Sequence, residues 1–157
     1  MFTSRRVAPC KGQFAGTSKA QMRINRRAFI MTNTLLPVTF TFISVLAILM
    51  IPMTGWVGMQ RAKVSTLRGD GGDPELFKRI RIHGNLMENA PLLALVMGAA
   101  EYAGLGTGWL WLAVATFVAG RLAHFALFDS TKRAFAMLTT VLPSVAMGVW
   151  LLVRIWL

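Results

Sequence analysis

From Ala28 to Gln60 the chain carries no charged side chain, and within that run Leu35 to Val57 supplies 23 mostly apolar residues. A helix of that length rises about 1.5 Å per residue and so crosses a hydrocarbon core of about 30 Å. Tyr102 to Gly120 and Leu122 to Phe128 form another long run, broken only by Arg121, and Ala134 to Val153 adds 20 uncharged residues. Between them, Asn89 to Ala100 is uncharged for only 12 residues, so a further span there requires Glu88 and Asn85 at or within the membrane boundary. The expected spans are residues 35–57, 82–102, 107–128 and 134–155. These imply an all-α membrane protein built as a bundle of four transmembrane helices. A composition of 55% hydrophobic and 15% charged residues leaves no water-soluble body to carry a nucleic-acid-binding surface.

The net charge of +11 does not change that reading. Arg5, Arg6, Lys11, Lys19, Arg23, Arg26 and Arg27 all fall within the first 30 residues, which contain no acid, leaving ten bases against six acids elsewhere. Residues 1–30 have too few large apolar side chains for a core and are expected to be a basic, disordered extension. Either the natural chain starts later, at Met31 or Met22, or the extension is a targeting segment. The membrane domain is expected over residues 31–157. One cysteine and two histidines exclude a disulfide framework and a cysteine-rich metal centre, and no metal is expected.

Asp73-Pro74-Glu75-Leu76 reads as a helix start, with Asp73 as N-cap, Pro74 at the first helical position and Glu75 near the positive end of the dipole. The predicted helix runs from about Pro74 to Tyr102, with Pro91 as an internal kink. Gly104-Leu105-Gly106-Thr107-Gly108 is a short turn that makes the second and third helices antiparallel neighbours. Near the first connection lie six bases (Arg61, Lys63, Arg68, Lys78, Arg79 and Arg81), and Lys132 and Arg133 lie in the third. Only Arg154 opposes them when the first 30 residues are set aside. The positive-inside rule then puts both long loops in the cytoplasm and both termini outside.

Charged groups at membrane depth are costly and face a bundle interior, pair with one another, or mark a site. Arg81, Asn85 and Glu88 lie at spacings i, i+4 and i+7, which places them on one face of the second helix. Arg121, His124 and Phe128 share a face of the third. Both faces lie at the same end of the bundle and are expected to meet, in one of two ways. Glu88 and Arg121 could form an ion pair that only holds the helices together, with Asn85 bridging. Alternatively the two faces enclose a net positive pocket for a small anion that also carries an amine. His83 lies on the opposite side of its helix and is read as a packing residue. Glu101 and Tyr102 are read as solvated at the outer interface, and Asp129 as a partner for Arg133. A transporter with a Glu88–Arg121 relay is a third reading, weakened by the lack of paired broken helices.

Arg81-Ile82-His83-Gly84-Asn85-Leu86-Met87-Glu88-Asn89-Ala90-Pro91 resembles the Arg-x-His-x-Asn-x-x-Glu-x-x-Pro signature of the MAPEG family, membrane-associated proteins in eicosanoid and glutathione metabolism. Gly69-Asp70-Gly71-Gly72 and Gly120-Arg121-Leu122-Ala123-His124 also resemble that family, especially its small bacterial branch. The resemblance runs from about Thr34 to the C-terminus. It implies a homotrimer of four-helix subunits in a bacterial inner membrane, with glutathione as co-substrate held between neighbouring subunits near the cytoplasmic side. Arg81, Asn85, Glu88 and His124 would then contact glutathione, with Glu88 accepting from its amine. Arg61 is a further contact on a looser correspondence, and Arg121 would stabilise the thiolate as the catalytic group. The implied partners are a lipophilic small-molecule substrate and the bilayer. Well-studied members carry a tyrosine where this chain has Phe128, and an arginine slightly later than Lys132 and Arg133. These departures leave a non-catalytic, glutathione-binding or membrane-organising protein as the alternative.

Overall fold

The first two helices of this chain each start at a proline with a carboxylate on their free N–H groups, and one of those carboxylates comes from far away in sequence. The structure, a computed structural model, describes residues 35–157, and the extension expected over residues 1–30 lies outside them. Four helices follow in order: α1 (Pro37–Lys63), α2 (Pro74–Tyr102), α3 (Thr107–Ala126) and α4 (Arg133–Trp156). Asp73 caps α2 as its sequence predicts, accepting from the Leu76 N–H at 2.6 Å, with Pro74 in the first turn. The same carboxylate accepts from Gln60 Nε2 at 3.1 Å, which ties the end of α1 to the start of α2.

At the other end, α1 has no side-chain cap of its own. Instead the Glu101 carboxylate accepts from the Val38 and Thr39 N–H groups, each at 2.9 Å. The expectation that Glu101 is merely solvated is therefore corrected. An acid in the last turn of α2 opposes that helix's own dipole, and the N-terminal N–H groups of α1 compensate it. Bonds at both ends make α1 and α2 antiparallel partners along their whole length.

Helices α1, α3 and α4 are long and apolar enough to cross a membrane. Helix α2 carries Glu75, Lys78, Arg79, Arg81 and Glu88 and is less apolar, yet its ends are bonded to both ends of α1, so it covers the same thickness. The connections 64–73 and 127–132 share one end of the bundle, where Lys78 donates to Asp129 at 2.6 Å. That pair replaces the expected Asp129–Arg133 contact. The α1–α2 connection turns at Gly69, Gly71 and Gly72, all with positive φ, a backbone region that glycine adopts without a Cβ penalty. Helix α3 ends at Ala126, two residues short of the expected span, because a tight turn through Leu127–Ser130 begins there.

The core is a column of apolar side chains that includes Phe42, Leu86, Leu93, Met97, Leu110, Phe117 and Met147, with Phe42 and Phe117 edge to face at 5.6 Å. The outer surface is also apolar: Ile48, Ile51, Leu95, Leu122 and Ile155 are each at least 66% exposed. Such a surface suits lipid as the solvent. Helices α3 and α4 approach most closely at Gly120, where an added Cβ would lie 2.8 Å from the Thr140 backbone nitrogen.

Two substitutions test these contacts. Gly120→Ala must push α3 from α4 and is expected to cost about 1–3 kcal/mol, the usual range for overpacking. Glu101→Ala leaves two N–H groups of α1 uncapped and is expected to cost about 0.5–2 kcal/mol. Thermal unfolding in detergent reads both as a lowered Tm, and an unchanged Tm for Glu101→Ala would return that residue to a solvated role.

Candidate functional site

Four-residue spacing on α2 puts Phe77, Arg81 and Asn85 in one row, because side chains at i and i+4 stack on the same face. Opposite them stand His124, in the last turn of α3, and Phe128, just beyond it. Arg133, Ala134 and Met137 from the start of α4 close the third side. Together these residues line a cavity of about 500 Å³ at the end of the bundle where the two long connections lie. Asn85 and His124 are buried at its floor, while Arg81 is exposed at its wall.

The floor is held by a chain of polar contacts across two helices. Asn85 Nδ2 and His124 Nε2 are 3.2 Å apart, and Arg121 Nη2 stands 3.2 Å from His124 Nδ1. Arg121 Nη1 also donates to the Asn85 carbonyl oxygen at 3.4 Å, and Asn89 Nδ2 donates to the same oxygen at 2.7 Å. Phe128 is 7% exposed and packs edge-on to the His124 ring at 5.7 Å. Its ring lies between two cations, with Lys78 Nζ at 5.5 Å and Arg133 Cζ at 5.9 Å from the centroid. Arg81 and Arg133 on the walls, with no acid among the lining residues, make the cavity a site for an anion.

Arg121 does not line that cavity. It lies instead in a second, apolar groove of about 340 Å³ between α1 and α3, lined by Phe42, Leu46, Leu49, Met53, Trp111, Phe117, Phe125 and others. Arg121 is the one charged residue in that lining. A single guanidinium thus borders the apolar groove on one side and is bonded to the floor of the polar cavity on the other.

The remaining sequence candidates are placed elsewhere. Glu88 is exposed and, among the described residues, makes no ion pair with Arg121, whose guanidinium is engaged by the Asn85 carbonyl and the His124 ring. Of the two expected arrangements, the internal Glu88–Arg121 pair is therefore not formed within a subunit. Arg61 donates to the Leu67 and Gly69 carbonyls, at 3.4 and 2.9 Å, and so holds the α1–α2 connection rather than reaching this cavity. His83 faces α1, with Nε2 3.5 Å from Thr54 Oγ1. Four lining residues were not anticipated: Phe77, Arg133, Ala134 and Met137. Phe77 was detectable as the i−4 neighbour of Arg81, and Met137 as the i+4 neighbour of Arg133. Arg133 itself was discounted for its register, but the turn at 127–132 brings it back over Phe128.

Comparisons with known proteins agree with this architecture. The chain is 34% identical over 79 residues to the inner membrane protein YecN of Escherichia coli K12, and equally to that of Escherichia coli O6:H1 strain CFT073. Each alignment covers 50% of this chain and 60% of the relative, so the chain spans less than two thirds of the curated relatives it matches. No solved structure matches. The sequence model of the MAPEG family matches residues 39–153, which takes in all four helices and every residue of the polar cavity. The chain is an integral membrane protein and belongs to the MAPEG family.

Proposed function

We propose that the protein is a glutathione-dependent membrane transferase, in which glutathione occupies the polar cavity and a lipophilic electrophile reaches it from the bilayer. The observation that carries this reading is the position of Arg121 between an anion-binding cavity and an apolar groove. A transferase of this kind must bring a water-soluble thiol and a lipid-soluble carbon to one point, and the guanidinium that lines the apolar groove is bonded to Asn85 and His124, which line the polar cavity. Arg81, Asn85 and Arg133 hold the tripeptide's carboxylates. Arg121 has donors beyond its two internal bonds and favours the thiolate over the thiol, which near pKa ~8.5 is otherwise mostly protonated at neutral pH. The thiolate sulfur attacks the electrophilic carbon, the new C–S bond replaces the bond to the leaving group or opens a strained ring, and the sulfur's proton goes to solvent. With a lipid hydroperoxide, two glutathiones supply two electrons and two protons to give alcohol, water and glutathione disulfide.

In this reading the chain assembles as a homotrimer, as the family resemblance implies, and Glu88 and Arg61, which lie outside the cavity, meet a ligand lying between subunits. Glu88 then accepts from the glutathione ammonium. The reading places this end of the bundle in the cytoplasm of a bacterium, at the inner membrane. The inner membrane agrees with the name of the relatives, and the cytoplasmic side with the run of bases around residues 61–81 and 132–133.

One observation favours a second reading, glutathione binding without turnover. Phe128 puts a phenyl ring where a hydroxyl would stand beside the sulfur, so only guanidinium charge remains to hold the thiolate.

Isothermal calorimetry of the detergent-purified protein tests the ligand. Glutathione is expected to bind, and Arg81→Ala to weaken it at least tenfold, the loss of about one charge-assisted hydrogen bond. Absence of binding heat in the wild type would reject the proposal. Conjugation of a lipophilic electrophile tests turnover. It is expected to fall at least tenfold in Arg121→Ala and to rise in Phe128→Tyr, whereas wild-type binding with no conjugation, appearing only in Phe128→Tyr, would favour the second reading.

A further inference from the structure

We infer that Arg121 holds His124 as the neutral imidazole with its proton on Nε2, and through that ring orients the Asn85 amide so that its N–H₂ group faces the polar cavity. The ligand side of this inference rests on the reading of the cavity as a glutathione site; the tautomer does not.

Two contacts of 3.2 Å decide the assignment, Arg121 Nη2 to His124 Nδ1 and Asn85 Nδ2 to His124 Nε2. A guanidinium has donors only, so Nδ1 must accept and carries no proton. The imidazolium is excluded, because it would set an N–H of the ring against an N–H of Arg121. A neutral imidazole has one proton, which is therefore on Nε2. That Nε2–H needs an acceptor, but the atom opposite it is an amide nitrogen, itself a donor. Amide nitrogen and oxygen have nearly the same shape and are assigned by their partners. Turning the Asn85 amide by half a rotation puts Oδ1 opposite Nε2–H and satisfies both ring nitrogens of His124.

The consequence falls on the cavity. Asn85 lines it, and the amide atom not facing His124 has no protein partner among the described residues. After the turn that atom is the N–H₂ nitrogen, a neutral donor set beside Arg81 and Arg133 and suited to a carboxylate oxygen. Arg121 thus acts on the cavity without lining it, as a positioning residue for Asn85. His124, with its one lone pair taken by Arg121, has none left to accept the thiol proton, so the ring is an orienting group and no general base.

Long-range proton–nitrogen NMR of ¹⁵N-histidine protein in detergent reads the tautomer directly, and His83→Gln leaves His124 as the one labelled ring of the described residues. The expected spectrum at neutral pH shows a single tautomer, protonated on Nε2. A proton on Nδ1, an average of both forms, or an imidazolium would overturn the inference. Arg121→Lys keeps a donor and is expected to keep the pattern, whereas Arg121→Leu is expected to average it; an unchanged single tautomer in Arg121→Leu would refute the positioning role. If Arg121→Leu does not fold, the His83→Gln and Arg121→Lys spectra carry the test. The Asn85 side-chain N–H₂ signals, identified by their loss in Asn85→Asp, are expected to shift as glutathione saturates the site. Calorimetric binding without that shift would overturn the amide orientation. A single Nε2–H tautomer in a protein that binds no glutathione would reject the ligand reading and leave the tautomer standing.

Discussion

The bonds from Arg121 to the Asn85 carbonyl and the His124 ring settle where a charge can sit within an apolar bundle. A guanidinium at membrane depth is costly unless its donors are met, and here α2 and α3 meet two of them. That engagement leaves Glu88 outside, closes the floor of the polar cavity, and sets Arg121 at the wall of the apolar groove. If the guanidinium were paired with Glu88 instead, the bonds that join the wall of the apolar groove to Asn85 and His124 would be lost.

The rest of the bundle keeps that floor in place. Glu101 and Asp73 fix the two ends of α1 against α2, so the row Phe77, Arg81 and Asn85 has a defined height along α1. Gly120 lies one residue before Arg121 and lets the backbone of α4 approach α3 at Thr140. This is the close approach that small residues allow between membrane helices.

Much of this was legible in local sequence. Asp73-Pro74 is a short-range signal, and α2 begins at Pro74 as those two residues predict. Apolar runs located the other helices, but not their ends: α1 continues as polar helix to Lys63, six residues past the expected span, and the turn at Leu127–Ser130 ends α3 two residues early. The spacings of Arg81 with Asn85 and of Arg121 with His124 identified the right helix faces, because helical period is a property of neighbours. Glu101 was misread because its partners lie more than 60 positions away, at Val38 and Thr39. The expected meeting of Glu88 with Arg121 failed for a similar reason: which acceptor takes a guanidinium depends on packing depth, which helical period does not encode. Arg133 was discounted because its register was counted along a helix, whereas a turn delivers it.

The central claim is that glutathione bound in the polar cavity extends its thiol to the border with the apolar groove, where Arg121 holds it as thiolate. Ultraviolet difference spectroscopy of glutathione bound to the purified protein tests it most directly, since thiolate absorbs where thiol does not. The account predicts a thiolate band at neutral pH, saturating with glutathione and lost in Arg121→Ala. Saturable binding with no thiolate band, or a band of equal size in Arg121→Ala, would contradict it.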